Sequence, residues 1–339
     1  MKLDWKSGLG FALTAVLLWW TLRGVSPTAV WAVLRHSRVA LFALAVVVNV
    51  SIFPLRARRW RTILEPVAGR IPFGPLWRST AIGIMMTNVF PLRAGEFARA
   101  FALTREVPRV PITTSFGSLA VDRIFDAIAI FGLMFVAMLD PSFPPDISIA
   151  GRTVPQLAIG GIVAVFGVLA ISFTIVMQHE RVMAFVDAVF GKLMPKHREK
   201  AVRIAEHGLG GLAVLKDGRR FLAVLWWAAL HWIVQALSIY LSFHAVGIDV
   251  PFSAALFLQG IQALGVAIPS SPGFFGVFET GAIIGLGVYG VPKELAISWA
   301  LGFHILTFIP ITVIGAAYFA QLGLSVGSMQ KGAQAEAEK

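Results

Sequence analysis

The sequence has 339 residues, of which 57% are hydrophobic and only 14% are charged, with a formal net charge of +11. A soluble domain carries about 25% charged residues, so this composition excludes an ordinary soluble protein and indicates an integral membrane protein. Most basic residues lie between apolar runs, where they set topology and attract anionic lipid, so we expect no nucleic-acid partner. The chain has no cysteine, which excludes disulfides, thiol catalysis and cysteine metal sites.

Six apolar segments are each long enough to cross about 30 Å of hydrocarbon as a helix. They are residues 7–24, 38–55, 112–139, 153–177, 220–246 and 295–325. No small-residue cleavage site follows the first segment, so we expect it to be an uncleaved helix. The sequence therefore predicts an all-α integral membrane protein with one polytopic domain over residues 1–328 and a disordered tail over residues 329–339.

Two further apolar segments are interrupted by proline and glycine, which break helices. Residues 76–104 break at Pro91–Glu96, and residues 252–290 break at Pro269–Gly273. If both segments enter the membrane and return on the same side, nearly all basic loops lie in the cytoplasm, as the positive-inside rule favours. We therefore predict six spanning helices plus two re-entrant broken-helix hairpins, in the cell (inner or plasma) membrane, with both termini cytoplasmic.

The predicted elements follow the same order in the two halves of the chain. Half one, residues 7–139, and half two, residues 153–325, each contain two helices, a hairpin and a helix, and the halves start on opposite sides of the membrane. Such an inverted repeat is common in secondary transporters with a central substrate site. The linker 178–219 contains an amphipathic stretch that either lies on the cytoplasmic headgroups or forms a solvated connecting helix.

Charged residues inside apolar segments are informative because each costs about 2.5–3.5 kcal/mol at the centre of a spanning helix. Asp122 and Asp126 share one helical face and repel each other unless a cation or proton intervenes. Arg123 points about 100° away, so Arg93 or Arg99 of the first hairpin is the expected partner. A structural ion-pair network that pins this hairpin to the helix is an equal alternative to a functional site.

Each break is followed by a new helix whose positive N-terminal end points into the membrane, where free backbone N–H groups can bind an anion. Arg93 lies at the first break, and Ser271 and Gly273 lie at the second. Glu96 and Glu279 follow the two breaks and either bind a cationic headgroup, carry a proton or cap the helices. The predicted substrate-binding residues are Arg93, Glu96, Arg99, Asp122, Arg123, Asp126, Ser271, Gly273 and Glu279.

A basic and aromatic cluster, Arg58, Arg59 and Trp60, directly follows the second predicted helix. Such clusters either anchor the cytoplasmic end of a helix or contact lipid headgroup phosphates, and we retain headgroup contact as the more specific hypothesis. His231 and His304 have no carboxylate at ligand spacing in the sequence, so we interpret them as core or lumen histidines. We identify no catalytic residue, no metal ligand and no cofactor site.

Three ordered motifs resemble the hallmarks of one known family. The segments Asn88–Arg99, Val121–Asp126 and Pro272–Glu279 resemble motifs of the lysylphosphatidylglycerol synthetase transmembrane family, also called the flippase-like domain family, and Arg58-Arg59-Trp60 fits this resemblance. The family more often has Glu at the position of Asp122 and often has a second Gly at the position of Phe274. The soluble aminoacyl-transferase domain of larger relatives is absent, so the resemblance implies lipid translocation or an accessory role rather than aminoacylation.

These features favour a transporter over an enzyme. We expect movement of a phosphate-bearing or polyprenyl-linked lipid between leaflets, with Arg93 and Arg99 holding the phosphate and the acidic residues balancing charge or coupling to protons. The expected partner is therefore a membrane phospholipid or polyprenyl-phosphate lipid, and homo-oligomerisation stays open. The alternatives are a membrane-embedded glycosyl or headgroup transferase, with a divalent metal on Asp122 and Asp126, and a scaffold that binds a cytoplasmic partner through residues 178–219.

Overall fold

The computed structural model describes residues 37–90, 94–144, 148–149, 151–193, 211–266 and 272–325, together with isolated positions in 28–35, 195–209 and 327. The predicted first helix, residues 7–24, and the predicted tail, residues 329–339, lie outside the described residues. Arg93 and Ser271 also lie outside them.

The described residues are almost entirely helical, as the sequence predicts. The helices are α1 (Val39–Val50), α2 (Ile52–Ala68), α3 (Phe73–Val89), α4 (Ala94–Glu106), α5 (Ile112–Met138), α6 (Val154–Met177), α7 (His179–Leu193), α8 (Gly218–Ala245), α9 (Phe252–Val266), α10 (Val277–Gly287) and α11 (Lys293–Gln321). Short 3-10 turns cover Gly211–Lys216 and Pro272–Phe274. The exception to the all-α prediction is one antiparallel hairpin of two-residue strands, β1 (Ser148–Ile149) and β2 (Arg152–Thr153).

Three described helices are long and apolar enough to cross a membrane: Val39–Ala68, in which α1 and α2 run on together, α8 and α11. The first of these corrects the predicted segment 38–55, because the helix continues for more than three further turns to Ala68. The helix α5 has 27 residues and contains Asp122, Arg123 and Asp126 within its length. The structure thus shows an all-helical protein with several apolar spans, and the full number of crossings stays a prediction.

Both broken segments fold as antiparallel helical hairpins. In the first hairpin, α3 packs against α4 so closely that a Cβ atom on Gly95 would lie 1.9 Å from Thr87 Oγ1 and 2.0 Å from the Gly83 carbonyl oxygen. In the second hairpin, α9 packs against α10, and a Cβ atom on Gly285 would lie 2.7 Å from Leu258 Cδ1. Small residues therefore allow each hairpin to close backbone against backbone.

The second break contains consecutive residues with left-handed backbone angles. Gly273 has φ 70° and Phe274 has φ 59°, and Gly276 follows with φ 88°. A non-glycine residue rarely adopts this region, because its Cβ atom crowds the following carbonyl. The family that the motifs resemble often has glycine at the position of Phe274. The positive φ of Phe274 explains that preference, because glycine adopts such angles without steric cost.

The two hairpins are joined by the helices that follow them. The helix α5 packs against α4 and also against α9, and the helix α11 packs against α10 and also against α3. The helix α8 lies along α1 and α2. Helices from both halves of the chain therefore surround a common centre, where the charged side chains of α2, α4 and α5 lie.

We expect Gly95→Ala to destabilise the protein, because its new methyl group would overlap Thr87 and the Gly83 backbone. Overpacking of this kind costs about 1–3 kcal/mol of unfolding free energy or more. The thermal unfolding midpoint of purified protein in detergent measures the effect. Gly132→Ala in α5 is the matched control, since nothing lies within 4 Å of the added Cβ atom. Equal midpoints for the two variants would contradict the close packing of α3 on α4.

Candidate functional site: a buried arginine–carboxylate cluster beside a cavity

A buried arginine of α2 binds both aspartates of α5. Arg59 Nε donates to Asp122 Oδ1 at 2.6 Å, and Arg59 Nη1 donates to Asp126 Oδ1 at 2.7 Å. The side chains of Arg59 and Asp122 have no exposed surface, and that of Asp126 is 9% exposed. The planar guanidinium group can reach two carboxylates at once, which explains how aspartates four residues apart share one buried face.

A second arginine, from the first hairpin, reaches Asp122. Arg99 Nη1 of α4 lies 3.1 Å from Asp122 Oδ2, as the sequence predicts for this pair. The Arg99 guanidinium also lies 4.1 Å from the ring centroid of Trp60, at cation–π distance. Trp60 is fixed in turn, because its Nε1 donates to Ser118 Oγ at 2.8 Å. These contacts join α2, α4 and α5.

Arg123 forms the more open side of the cluster. Its Nη2 lies 3.1 Å from Glu96 Oε1, and its Nη1 lies 3.0 Å from Asp126 Oδ2. Its Nη2 is also 3.5 Å from Asp122 Oδ2. Arg123 therefore contacts both aspartates although it points about 100° away from Asp122 on the helix, because its side chain is long enough to reach them.

A cavity of ≈ 310 Å³ lies beside this cluster. Arg56, Arg99, Arg123 and Glu96 form its charged wall. Both hairpins border the cavity, the first through α3 and α4 and the second through the turn and start of α10. Its other lining residues are Asn49, Ile52, Gly83, Ile84, Thr87, Asn88, Gly95, Trp232, Gln235, Phe274, Phe278, Phe303, His304, Thr307, Phe308 and Ile311.

Several guanidinium nitrogens on the charged wall have no hydrogen-bond partner among the described residues. They are Arg56 Nε, Arg99 Nε, Arg99 Nη2 and Arg123 Nε. Arg56 also forms no ion pair with a described carboxylate, whereas Arg59, Arg99 and Arg123 each form at least one. Buried polar groups are normally paired, so these N–H groups are candidates for binding an anionic ligand.

The opposite wall carries a carboxylate–imidazole pair. Glu279 Oε1 of α10 lies 2.9 Å from His304 Nδ1 of α11. The other carboxylate oxygen, Glu279 Oε2, accepts a hydrogen bond from the backbone N–H of Gly276 at 2.6 Å. The imidazole ring lies between Phe275 and Phe278, with ring centroids 4.3 Å and 4.4 Å away. His304 thus has a carboxylate partner that the sequence spacing does not reveal.

The structure brings most of the predicted binding residues to this cavity. Glu96, Arg99 and Arg123 line the cavity, and Asp122 and Asp126 lie behind them. Two other predicted residues lie next to lining residues, since Glu279 is hydrogen-bonded to His304 and Gly273 directly precedes Phe274. Arg93 and Ser271, in contrast, lie outside the described residues, so their predicted roles stay predictions.

The cluster predicted to contact headgroups divides into two parts. Arg58 is exposed, with its guanidinium 5.9 Å from the ring centroid of Trp227. Arg59 and Trp60 have no exposed surface. Their predicted contact with headgroups is therefore wrong, because α2 continues past residue 55 and turns these two side chains inward onto α5.

Two residues that sequence reasoning did not select belong to the cavity. Arg56 precedes Arg59 by three residues, so the two share a face of α2. If α2 is known to continue to Ala68, this spacing predicts that Arg56 faces the protein interior with Arg59. His304 meets Glu279 across 25 residues of sequence, and local spacing carries no signal for such a contact.

Both aspartates already form ion pairs with arginine. Asp122 and Asp126, which the transferase alternative assigns to a divalent metal, accept hydrogen bonds from Arg59 instead. Within the described part of the chain, no group of three or more His, Cys, Asp or Glu side chains is placed to hold a metal ion.

The comparisons with known proteins agree with the motif resemblance. A family model described as the lysylphosphatidylglycerol synthase TM region matches residues 8–315. Glycosyltransferase AglD of Haloferax volcanii is 28% identical over 80% of this chain and 47% of its own length, so the chain spans about half of that relative. Two UPF0104 membrane proteins of Methanothermobacter thermautotrophicus are 23% identical over 91% of both chains and 26% identical over 80% and 81%.

We expect Arg59→Met to lower the unfolding free energy by about 3–5 kcal/mol, because it leaves two buried carboxylates without their main partner. Arg58→Met, at the exposed neighbouring position, should change stability by less than about 0.5 kcal/mol. Thermal unfolding in detergent compares the two. In the background Asp122→Asn/Asp126→Asn, the cost of Arg59→Met should fall by at least about 1 kcal/mol. An unchanged cost would show that Arg59 does not act through these aspartates.

Proposed function

The chain belongs to the lysylphosphatidylglycerol synthase transmembrane region family, and on that premise we propose that it moves a phosphate-bearing lipid between the leaflets of the cell membrane. The substrate is a phospholipid or a polyprenyl-linked lipid. The observation that carries the proposal is that Arg56, Arg99 and Arg123 line a cavity that both hairpins border and carry buried guanidinium nitrogens without a partner among the described residues.

The chemistry of this wall fits a phosphate group. Arg56 and Arg99 present N–H donors that have no described partner, and guanidinium forks bind phosphate oxygens in pairs. An unsatisfied buried donor costs about 1–3 kcal/mol, and more when the group is charged, so a bound phosphate relieves a real cost. Arg59 stays behind the wall and neutralises the aspartates, which leaves the other arginines available for substrate.

The size of the cavity fits a headgroup. At ≈ 310 Å³ it lies at the lower end of the range for small-molecule sites, about 300–1,000 Å³. We therefore propose that the phosphate and headgroup enter the cavity while the acyl or polyprenyl chains stay in the bilayer. The predicted binding residues keep their assignment, and Arg56 joins Arg93 and Arg99 at the phosphate, while Glu96 balances charge through its ion pair with Arg123.

The helix packing supports an inverted repeat. The helix after the first hairpin, α5, packs on the first helix of the second hairpin, α9. In the same way, the helix after the second hairpin, α11, packs on the first helix of the first hairpin, α3. We propose that the hairpins are re-entrant, that six helices span the membrane and that both termini are cytoplasmic. Rocking of one half against the other would then open the cavity to each leaflet in turn.

A transferase is the second candidate, and the similarity to a protein named glycosyltransferase favours it. It predicts turnover of a lipid-linked donor that depends on a divalent metal and is lost in Asp126→Asn. The assay is formation of product by purified protein in detergent with and without magnesium or manganese. Against this candidate, the aspartates bind arginines, so a metal would first have to displace Arg59.

We expect Arg56→Gln to slow lipid translocation about tenfold or more, because a charge-assisted hydrogen bond to phosphate contributes about 1.5–3 kcal/mol. The measurement uses phosphatidylcholine vesicles that contain acyl-labelled fluorescent phosphatidylglycerol and an impermeant quencher. Arg56 forms no ion pair with a described carboxylate, so its loss leaves no described buried charge unpaired.

Arg58→Gln is the matched control for this measurement, since Arg58 is exposed on the same helix and does not line the cavity. It should stay within about twofold of wild type, as expected for a surface change. Translocation by Arg56→Gln at the wild-type rate would contradict phosphate binding at this wall.

A further inference from the structure

We propose that the pair formed by Glu279 and His304 is a proton-binding site, and that a proton crosses the membrane together with the lipid in the same direction. This inference rests on the proposed function and deepens it, because it names what drives the movement. It is carried by His304, which lines the same cavity as Arg56, Arg99 and Arg123 and is hydrogen-bonded to Glu279.

Glu279 differs from the other acidic residues near the cavity in the type of residue with which it is paired. Asp122, Asp126 and Glu96 are paired with arginines, which stay protonated at any physiological pH. Protonating Asp122 or Asp126 would leave the buried guanidinium of Arg59 incompletely compensated, so the charge of these two aspartates is in effect fixed. Glu279 is instead paired with an imidazole, and histidine, unlike arginine, is a side-chain type that can be neutral or protonated near neutral pH. The net charge of the cavity can therefore change at this pair.

The geometry holds the imidazole ready to exchange a proton with the cavity. His304 lines the cavity, and its Nδ1 lies at hydrogen-bond distance from Glu279, so Nε2 is the nitrogen available to water or ligand. The Gly276 N–H and the flanking rings of Phe275 and Phe278 fix the carboxylate and the imidazole in place. The side chains are 10% and 11% exposed, so the pair reaches the cavity without being open to bulk solvent.

The charged groups around the cavity couple this proton to the lipid. His304 is paired with Glu279 of α10 and lines the same cavity as Arg56 of α2, Glu96 and Arg99 of α4, and Arg123 of α5. The helices α3 and α8 contribute the uncharged Thr87, Asn88, Trp232 and Gln235. With the phosphate absent, the guanidinium groups that line the cavity give it a positive charge. A bound phosphate cancels that charge and attracts the imidazolium. Each ligand therefore strengthens binding of the other, as thermodynamic linkage requires.

A gradient experiment tests this coupling. Vesicles with acyl-labelled phosphatidylglycerol in the outer leaflet are given an acidic exterior, an acidic interior or no pH gradient, each with and without a protonophore. For the wild type we expect inward movement to be at least about threefold faster with the acidic exterior than without a gradient, slower with the acidic interior, and insensitive to either gradient once the protonophore is present. In His304→Gln and Glu279→Gln the ratio of rates with and without the gradient should fall to about one.

His244→Gln is the matched control, because His244 lies on α8, packs edge-on against Tyr240 and does not line the cavity. It should keep the wild-type ratio. Wild-type protein that moves lipid at the same rate under all gradients would overturn the proton site and leave the proposed function standing. Wild-type protein that moves no lipid under any condition would instead overturn the proposed function.

A second measurement keeps the inference open to refutation if the two variants do not fold. A pH-sensitive dye inside vesicles of wild-type protein reports proton entry when labelled phosphatidylglycerol is added outside. We expect the interior to acidify in step with lipid entry. Lipid entry without any acidification would overturn the proposal. A preserved gradient response in folded His304→Gln would also overturn it.

Discussion

The fork of Arg59 on Asp122 and Asp126 is the constraint on which the rest of the site depends. Two carboxylates on one face of an apolar helix repel each other, and a fully buried guanidinium is costly unless it is paired. Each charged group therefore lowers the free-energy cost of burying the others. Because Arg59 comes from α2 and the aspartates from α5, the same contacts set the distance between these helices. With the aspartates neutralised from behind, Arg56 and Arg99 can direct N–H groups to the cavity.

Close backbone packing gives this charge cluster its shape. The contact of Gly95 with Gly83 and Thr87 brings α4 against α3 and thereby places Arg99 one turn further along, next to Asp122. A larger residue at position 95 would push the hairpin apart and move the guanidinium away from its carboxylate. Packing and electrostatics are thus coupled, since the position of a buried charge is set by uncharged residues that allow helices to approach.

The sequence predicts the aspartate pair, its need for arginine and the two hairpins, because these follow from local spacing, from helix breakers and from the cost of charge in apolar segments. It names Arg93 or Arg99 as the partner of the aspartates, of which Arg99 does bind Asp122, and it misses Arg59. Basic residues at the end of an apolar run are typical of helix anchors, so only the continuation of the helix to Ala68 shows that Arg59 points inward. The contact of Glu279 with His304 joins two helices, and no local pattern predicts it.

The two hairpins occupy equivalent places in the packing and yet carry different chemistry. The first contributes Glu96 and Arg99 to a network whose charges are fixed by guanidinium groups, whereas the second contributes aromatic rings and an acid paired with imidazole. A wall of fixed charge can hold an anion, but it cannot by itself respond to the side of the membrane that it faces. A titratable wall can respond, but it has little affinity for phosphate alone. A cavity bordered by one of each combines the two properties, because the charge on one wall then depends on what the other has bound.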